Sequence, residues 1–383
     1  MTTLPRVSGT APAPSHQPRL LLLGTLNSPH IEHLAVAMRE RGHEVAVAGD
    51  ISSRLPPCAL PAAGLRAHEI RGRNVAAVRR VVRQVRPDVV HANWLPGMAF
   101  MAALVRARPL VAMAWGSDVH GADRRRLWQS RYTLRRADVA MADSGDMVER
   151  LIQLGADRQR TYVMRWGVDL KVFAPPADRT EAKRMVDLPD SPTIISPRGL
   201  SPVYNAGAIL DAFDELRSEM PSAVLLLKHM GVAEPELGGR VLPGGVRLVG
   251  HVPYHRMAAY FQAADACVSV PSSDSSPRSV WEAMACGCPC ILSDLRWTRE
   301  LIEDGRDALL VAPQAADIAS ALRQVLTAPE LADRVRARAR ALVEAHHDRD
   351  AEMDKLSHLY GRVAGGAAPN PSGALPRSPV AAK

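Results

Sequence analysis

Two carboxylates, Asp274 and Glu282, stand eight positions apart with Ser275, Ser276 and Pro277 between them. Serine suits the residue that caps a helix N-terminus and proline suits the first helical position. Asp274 is therefore expected in a loop and Glu282 in the helix that follows. That helix should run through Val280 and Met284 and stop at Gly287, before Pro289 opens an apolar strand, Cys290-Ile291-Leu292. Helix N-termini carry unpaired N–H groups and a partial positive charge, which seat phosphate. A carboxylate just beyond them can accept hydrogen bonds from ribose hydroxyls, as acidic residues do in other nucleotide sites. The spacing reads as a sugar-nucleotide site in which Ser275, Ser276, Pro277 and Glu282 bind the donor.

The full stretch, SSDSSPRSVWEAMACGCPCILS over 272–293, resembles the acidic-x7-acidic motif of retaining GT-B glycosyltransferases of family 4. The usual pattern is a Glu, a small Gly-rich turn, then Glu-Ala-Met-Ala-x-Gly-x-Pro. Residues from Glu282 through Ala283, Met284, Ala285, Cys286, Gly287 and Cys288 to Pro289 match it. Asp274 stands where the first Glu is expected, and Ser275-Ser276-Pro277 replaces the glycine turn. Asp294, then Arg299-Glu300-Leu301-Ile302 and Gly305, follow in the family's order.

The resemblance covers residues 19–363 and implies a nucleoside-diphosphate sugar, UDP- or GDP-linked, as donor. It implies front-face transfer through an oxocarbenium-like state, with a donor phosphate oxygen taking the acceptor proton. It also implies an arginine and a lysine that clamp the departing diphosphate. Arg198, in Ser196-Pro197-Arg198-Gly199-Leu200, fits the arginine, because a guanidinium matches phosphate oxygens in a bidentate way. Tyr204-Asn205 stands where Lys-Gly is expected, so Lys228 becomes the candidate substitute. Family members often carry a histidine near the transferred sugar where this chain has Trp115. Asp118, His91 or His120 could cover that role, and His91 could equally be a buried structural histidine. Asp118, Asp274 and His91 make up the expected catalytic set.

Parallel sheets would hold these residues, because short apolar runs alternate with helical patterns. Strands of one domain are expected at 20–23, 45–48, 88–91 and 110–114, with helices over 31–41 and 75–85. The latter places Val75, Val78, Val82 and Val85 on one face. His91-Ala92-Asn93-Trp94 and Trp115-Gly116-Ser117-Asp118 then sit at the carboxyl ends of strands, where open α/β sheets bind ligands. The loop 24–30 lacks G-x-G-x-x-G and so carries no dinucleotide fingerprint. It lies under the donor phosphates, beside the acceptor, or is a plain βα turn. Around Phe173-Ala174-Pro175-Pro176 the pattern breaks, as at a linker. Further strands are expected at 193–196, 223–227, 246–249, 266–270, 290–293 and 308–311.

The expected fold is α/β with two doubly wound Rossmann-like domains and a cleft between them. The boundaries expected are an acceptor-side domain over 18–174 and a nucleotide-sugar domain over 175–349. A helix over 350–363, capped by Asp350, crosses back onto the first domain by resemblance to the family. Residues 1–17 and 364–383, rich in Pro, Gly, Ala and Ser, are expected as disordered tails.

The chain has 383 residues, enough for two buried cores, and 47% of them are hydrophobic. Its net charge of +8 would suit nucleic acid, yet only five of the 48 basic residues are lysine. Such Arg, Ala and Pro enrichment fits a composition bias, and no nucleic-acid motif accompanies it. The segment 124–136, with six arginines, Trp128 and Tyr132, could meet an anionic acceptor or a membrane surface, or form a solvated basic face. Any membrane contact is expected to be peripheral. No apolar run reaches the about 18 residues of a span, and the N-terminus does not read as a secretory signal, so a cytoplasmic protein is expected.

Of the five cysteines, Cys286, Cys288 and Cys290 alternate but lack the C-x2-C pairs of zinc sites, so buried thiols are expected. Asp348-Arg349-Asp350 is a D-x-D far from any nucleotide loop, and no metal or other cofactor is expected. The expected partners are a nucleotide sugar and an acceptor that is a specialised metabolite, a glycan or a lipid-linked sugar. A GT-B sugar-nucleotide epimerase and a non-catalytic nucleotide-sugar-binding partner are the alternatives.

Overall fold

A computed structural model describes residues 17–53, 55, 60, 63–229 and 239–366. The expected tails, apart from Gln17 and residues 364–366, and Cys58 lie outside the described residues. Seven strands make the first sheet: β1 (Leu20–Leu23), β2 (Val45–Gly49), β3 (Arg66–Glu69), β4 (Val89–Asn93), β5 (Leu110–Met113), β6 (Val139–Ala142) and β7 (Thr161–Val163). Six make the second: β8 (Thr193–Ser196), β9 (Val224–Lys228), β10 (Val246–Val249), β11 (Ala266–Ser269), β12 (Cys290–Ser293) and β13 (Leu309–Val311). Their orders are β3-β2-β1-β4-β5-β6-β7 and β10-β9-β8-β11-β12-β13, and every pairing is parallel. This is the expected pair of doubly wound domains.

Central strands covered by helices on both faces must be apolar on both faces, and β1 is four leucines with no exposed surface. Each sheet accordingly carries a core on either side. The strand β3, with sequence Arg-Ala-His-Glu, lies at a sheet edge and is mostly exposed, so it lacks the apolar run that marks the others. The first helix begins at Pro29, in the first helical position, and not at Ile31.

Strand order reverses between β1 and β4 in one sheet and between β8 and β11 in the other. At such a switch point neighbouring loops leave toward opposite faces and open a crevice at the carboxyl edge. The loops bearing Arg198 and Asp274 follow β8 and β11.

Two passages join the domains, and they lie side by side. Val168 N donates to His347 O at 2.7 Å, and Arg349 N donates to Val168 O at 3.0 Å. Gly167, at φ +69°, permits the contact, since a Cβ there would come within 2.4 Å of Arg349 Cα. Phe173, in the expected linker, is already buried in the second domain's core.

The last helix, Arg349–Ala364, starts one residue earlier than expected. Asp348, not Asp350, caps it, accepting from Ala351 N at 2.9 Å. It returns to the first domain, where Met353, Leu356, Leu359, Tyr360 and Val363 join Leu20, Leu22, Ile31, Leu34 and Met38 in one core. Each such large apolar side chain contributes roughly 1.5–3 kcal/mol on burial.

Candidate active site

Loops at the carboxyl ends of both sheets face each other across a cleft of about 350 Å³. The first domain supplies His30 after β1, Trp115 after β5, Asp143 after β6 and Trp166 after β7. The second supplies Arg198 after β8, Lys228 ending β9, Tyr254 after β10, and residues 274–279 with Glu282 after β11. Arg198, Lys228, Asp274, Ser275, Ser276, Pro277 and Glu282 are thus brought together.

Arg198 is held from three sides. Its guanidinium lies 2.8 Å from an Asp274 oxygen, 3.4 Å from Ser279 Oγ, and 4.7 Å over the Tyr204 ring. Tyr204, where the family's lysine motif is lost, therefore orients the arginine. Burial lowers the Lys228 ammonium from its ordinary range, while the Glu282 charge opposes that shift.

Glu282 is 5% exposed, and burial raises its pKa against the pull of Arg278, Tyr254 and Lys228. Arg278, one turn earlier, donates to it at 2.8 Å, reaches His33 Nδ1 at 2.9 Å and covers Tyr254 at 4.5 Å. Burial and Arg278 hold the His33 pKa at about 3, so it accepts as a neutral ring. The sequence reading passed over Arg278. Its signal is the i,i+4 spacing to Glu282 on a helix.

The helix starts later than expected, at Arg278, with Pro277 as its cap residue. Ser275 and Ser276 do not cap it, because their hydroxyls are engaged elsewhere. Ser275 donates to the Asp143 carboxylate across the cleft and sits 3.0 Å from Ser144 Oγ. Ser276 accepts from Trp281 Nε1 at 2.9 Å. Burial, with Asp274 nearby, pushes Asp143 up to about 7.

His91 and Asp118 do not reach the cleft. His91 is buried with Nδ1 2.5 Å from the Tyr360 hydroxyl, an anchor for the last helix. Asp118 is 0% exposed and accepts from Leu95 N and Trp115 N, each at 3.0 Å. It ties the loops after β4 and β5 and so presents Trp115. His120 does not line the cleft either. Two imidazoles do line it: His251 from the second domain and, from the first, His30, set between Trp166 at 4.8 Å and Trp115 at 5.3 Å. Burial, Arg278, His33 and Arg198 keep His30 neutral.

The two domains also meet at Glu300, whose carboxylate accepts from Gly145 N at 2.8 Å and from Asp146 N. It caps the first domain's helix Gly145–Gln153 from the second domain. Cys267, Cys286, Cys288 and Cys290 are buried thiols, and burial raises the pKa of Cys286 and Cys288. Among the described residues no cluster of His, Cys, Asp and Glu has metal-binding geometry. The arginine-bearing helix Arg124–Leu134 lies away from the cleft, with Trp128 58% exposed. No helix of the described residues is long and apolar enough to cross a membrane.

The family described as Glycosyl transferases group 1 matches residues 178–342, and Glycosyltransferase Family 4 matches residues 28–172. The D-inositol 3-phosphate glycosyltransferase of Xylanimonas cellulosilytica is 30% identical over 78% of this chain and 82% of its own length. That of Geodermatophilus obscurus is 28% identical over 67% of this chain, which spans only 64% of that relative. Among solved structures, Anabaena HepE in complex with UDP-glucose superposes with TM-score 0.76 at 17% identity, covering 89% of this chain and 98% of its own.

Proposed function

The chain belongs to the group 1 glycosyltransferases of GT-B fold, and we propose that it moves a hexose-type sugar from a nucleoside diphosphate to an acceptor hydroxyl with retention of configuration. One observation carries this reading: Arg198, Lys228 and Arg278 converge with Asp274 and Glu282 at the switch point of the second sheet. Arg198 takes the diphosphate oxygens, Lys228 adds a second positive charge, and Glu282 accepts the ribose hydroxyls. Asp274 fixes Arg198 and faces the sugar. As the bond to the leaving oxygen breaks, negative charge grows on the diphosphate, where fixed cations stabilise it most. The phosphate oxygen on that face takes the acceptor proton.

The sugar nucleotide of the Anabaena structure supports a UDP-linked donor, with GDP-linked sugars the other choice. The cationic side chains supply the charge neutralisation that a divalent ion would otherwise give, so activity is expected to survive excess EDTA. Recovery of a lost activity by Mg²⁺ or Mn²⁺ would overturn that part. The function itself is tested by titrating UDP- and GDP-sugars against melting temperature, which a specific ligand raises by mass action. Incubation with donor and candidate acceptors follows. Conversion of donor without acceptor would instead make the protein an epimerase, and binding without turnover a nucleotide-sugar-binding partner.

A further inference from the structure

The two walls of the cleft differ in charge. All three cationic side chains among its described lining residues, Arg198, Lys228 and Arg278, come from the second domain. The first domain's wall is aromatic. Trp115 and Trp166 meet edge to face at 5.9 Å, with His30 packed against both. Trp115 spends its indole N–H on Asn93 Oδ1 at 3.0 Å, so it offers the cleft its apolar body.

Resting on the proposed donor site, we infer that the acceptor is an uncharged, unphosphorylated hydroxylated ring, seated against Trp115, Trp166 and His30. The C–H face of such a ring is apolar and slightly positive, and it suits the negative face of an indole. Its hydroxyls can reach the imidazole of His30, whose Nδ1 is buried without a hydrogen-bond partner. A phosphorylated acceptor would bring a dianion to a wall with no cation of its own among the described residues. It would lie beside the donor diphosphate and near the Asp143 carboxyl. Burial of an unpaired charge is strongly unfavourable. His30, held neutral, cannot offset it. The acceptor class thereby departs from that in the names of the inositol phosphate relatives.

The test uses the full chain and acceptor pairs that differ by one phosphate: myo-inositol with D-inositol 3-phosphate, and glucose with glucose 6-phosphate. Donor affinity is measured first, and a failure there falls on the proposed function, not on the acceptor. Binding of each pair to the protein saturated with UDP is then read by tryptophan fluorescence, and transfer by product mass. The uncharged member should bind or react better by roughly tenfold or more, the scale at which a site rejects a group it cannot satisfy. Trp166→Ala should weaken its binding with donor affinity unchanged, and Trp166→Arg should shift preference toward the phosphorylated member. Tighter binding of a phosphorylated member by the parent protein, or no binding of either at millimolar concentration, would overturn the assignment.

Discussion

Arg278 changes what substitution of Glu282 should do. With Arg278 2.8 Å away and only 11% of its side chain exposed, Glu282→Gln leaves a largely buried guanidinium without its counter-charge. Donor affinity should fall about tenfold as charge-assisted bonds to ribose are lost. The free protein should also lose about 3 kcal/mol, the cost of breaking a buried pair. Donor titration and melting curves check both, and a variant that binds donor normally would remove Glu282 from the site. Asp143 gives a pH signature. Its pKa is about 7 against an ordinary 3.8, so the folded chain keeps a proton that the unfolded chain releases. Its stabilising effect is full below about pH 4 and is lost as pH rises through about 7. Asp143→Asn should match the parent at pH 4 and exceed it at pH 8 by on the order of 2–4 kcal/mol. A pH response identical to the parent's would refute this. Asp274, Glu282 and Arg198 were legible in the sequence because one motif and two strand ends carried them. His30 and Asp143 were not, since their surroundings come from distant parts of the chain: Trp115 and Trp166 pack beside His30, and Ser275 reaches Asp143 across the cleft.

At the scale of elements, most central strands were readable as apolar runs, but the buried β6 and the short β7 went unexpected, and β3 gave no such signal because its edge position leaves it exposed. Cap positions differed for two reasons: Ser275 turned to Asp143, a partner across the cleft, and the last helix starts early enough that Asp348 and not Asp350 stands at its end. The paired passages at Val168 and Arg349 depend on a residue without a Cβ. Gly167→Ala would force a left-handed backbone on alanine and press a methyl group into Arg349. The expected loss is at least about 2 kcal/mol. Denaturant unfolding checks it, and a variant as stable as the parent would show that the two passages need not touch.

For the whole molecule, closure of the cleft rests partly on Glu300, an anion at the N-terminus of a helix in the opposite domain. Glu300→Gln keeps the shape but removes the charge, which contributes about 0.3–1 kcal/mol at such a site. Donor KM should rise by about two- to fivefold with melting temperature nearly unchanged, and an unaltered KM would exclude Glu300 from closure. The last helix has a consequence of another kind, in the order of synthesis. A ribosome delivers residues 20–163, the whole first sheet, long before residues 349–364. Until those emerge, the face made by Leu20, Leu22, Ile31, Leu34 and Met38 has no cover, and His91 has no Tyr360 to hold. The second domain can finish its own sheet while the first still waits. The first domain to be translated is therefore the last to be sealed, and a chain released early would carry an apolar face open to chaperones and to its neighbours.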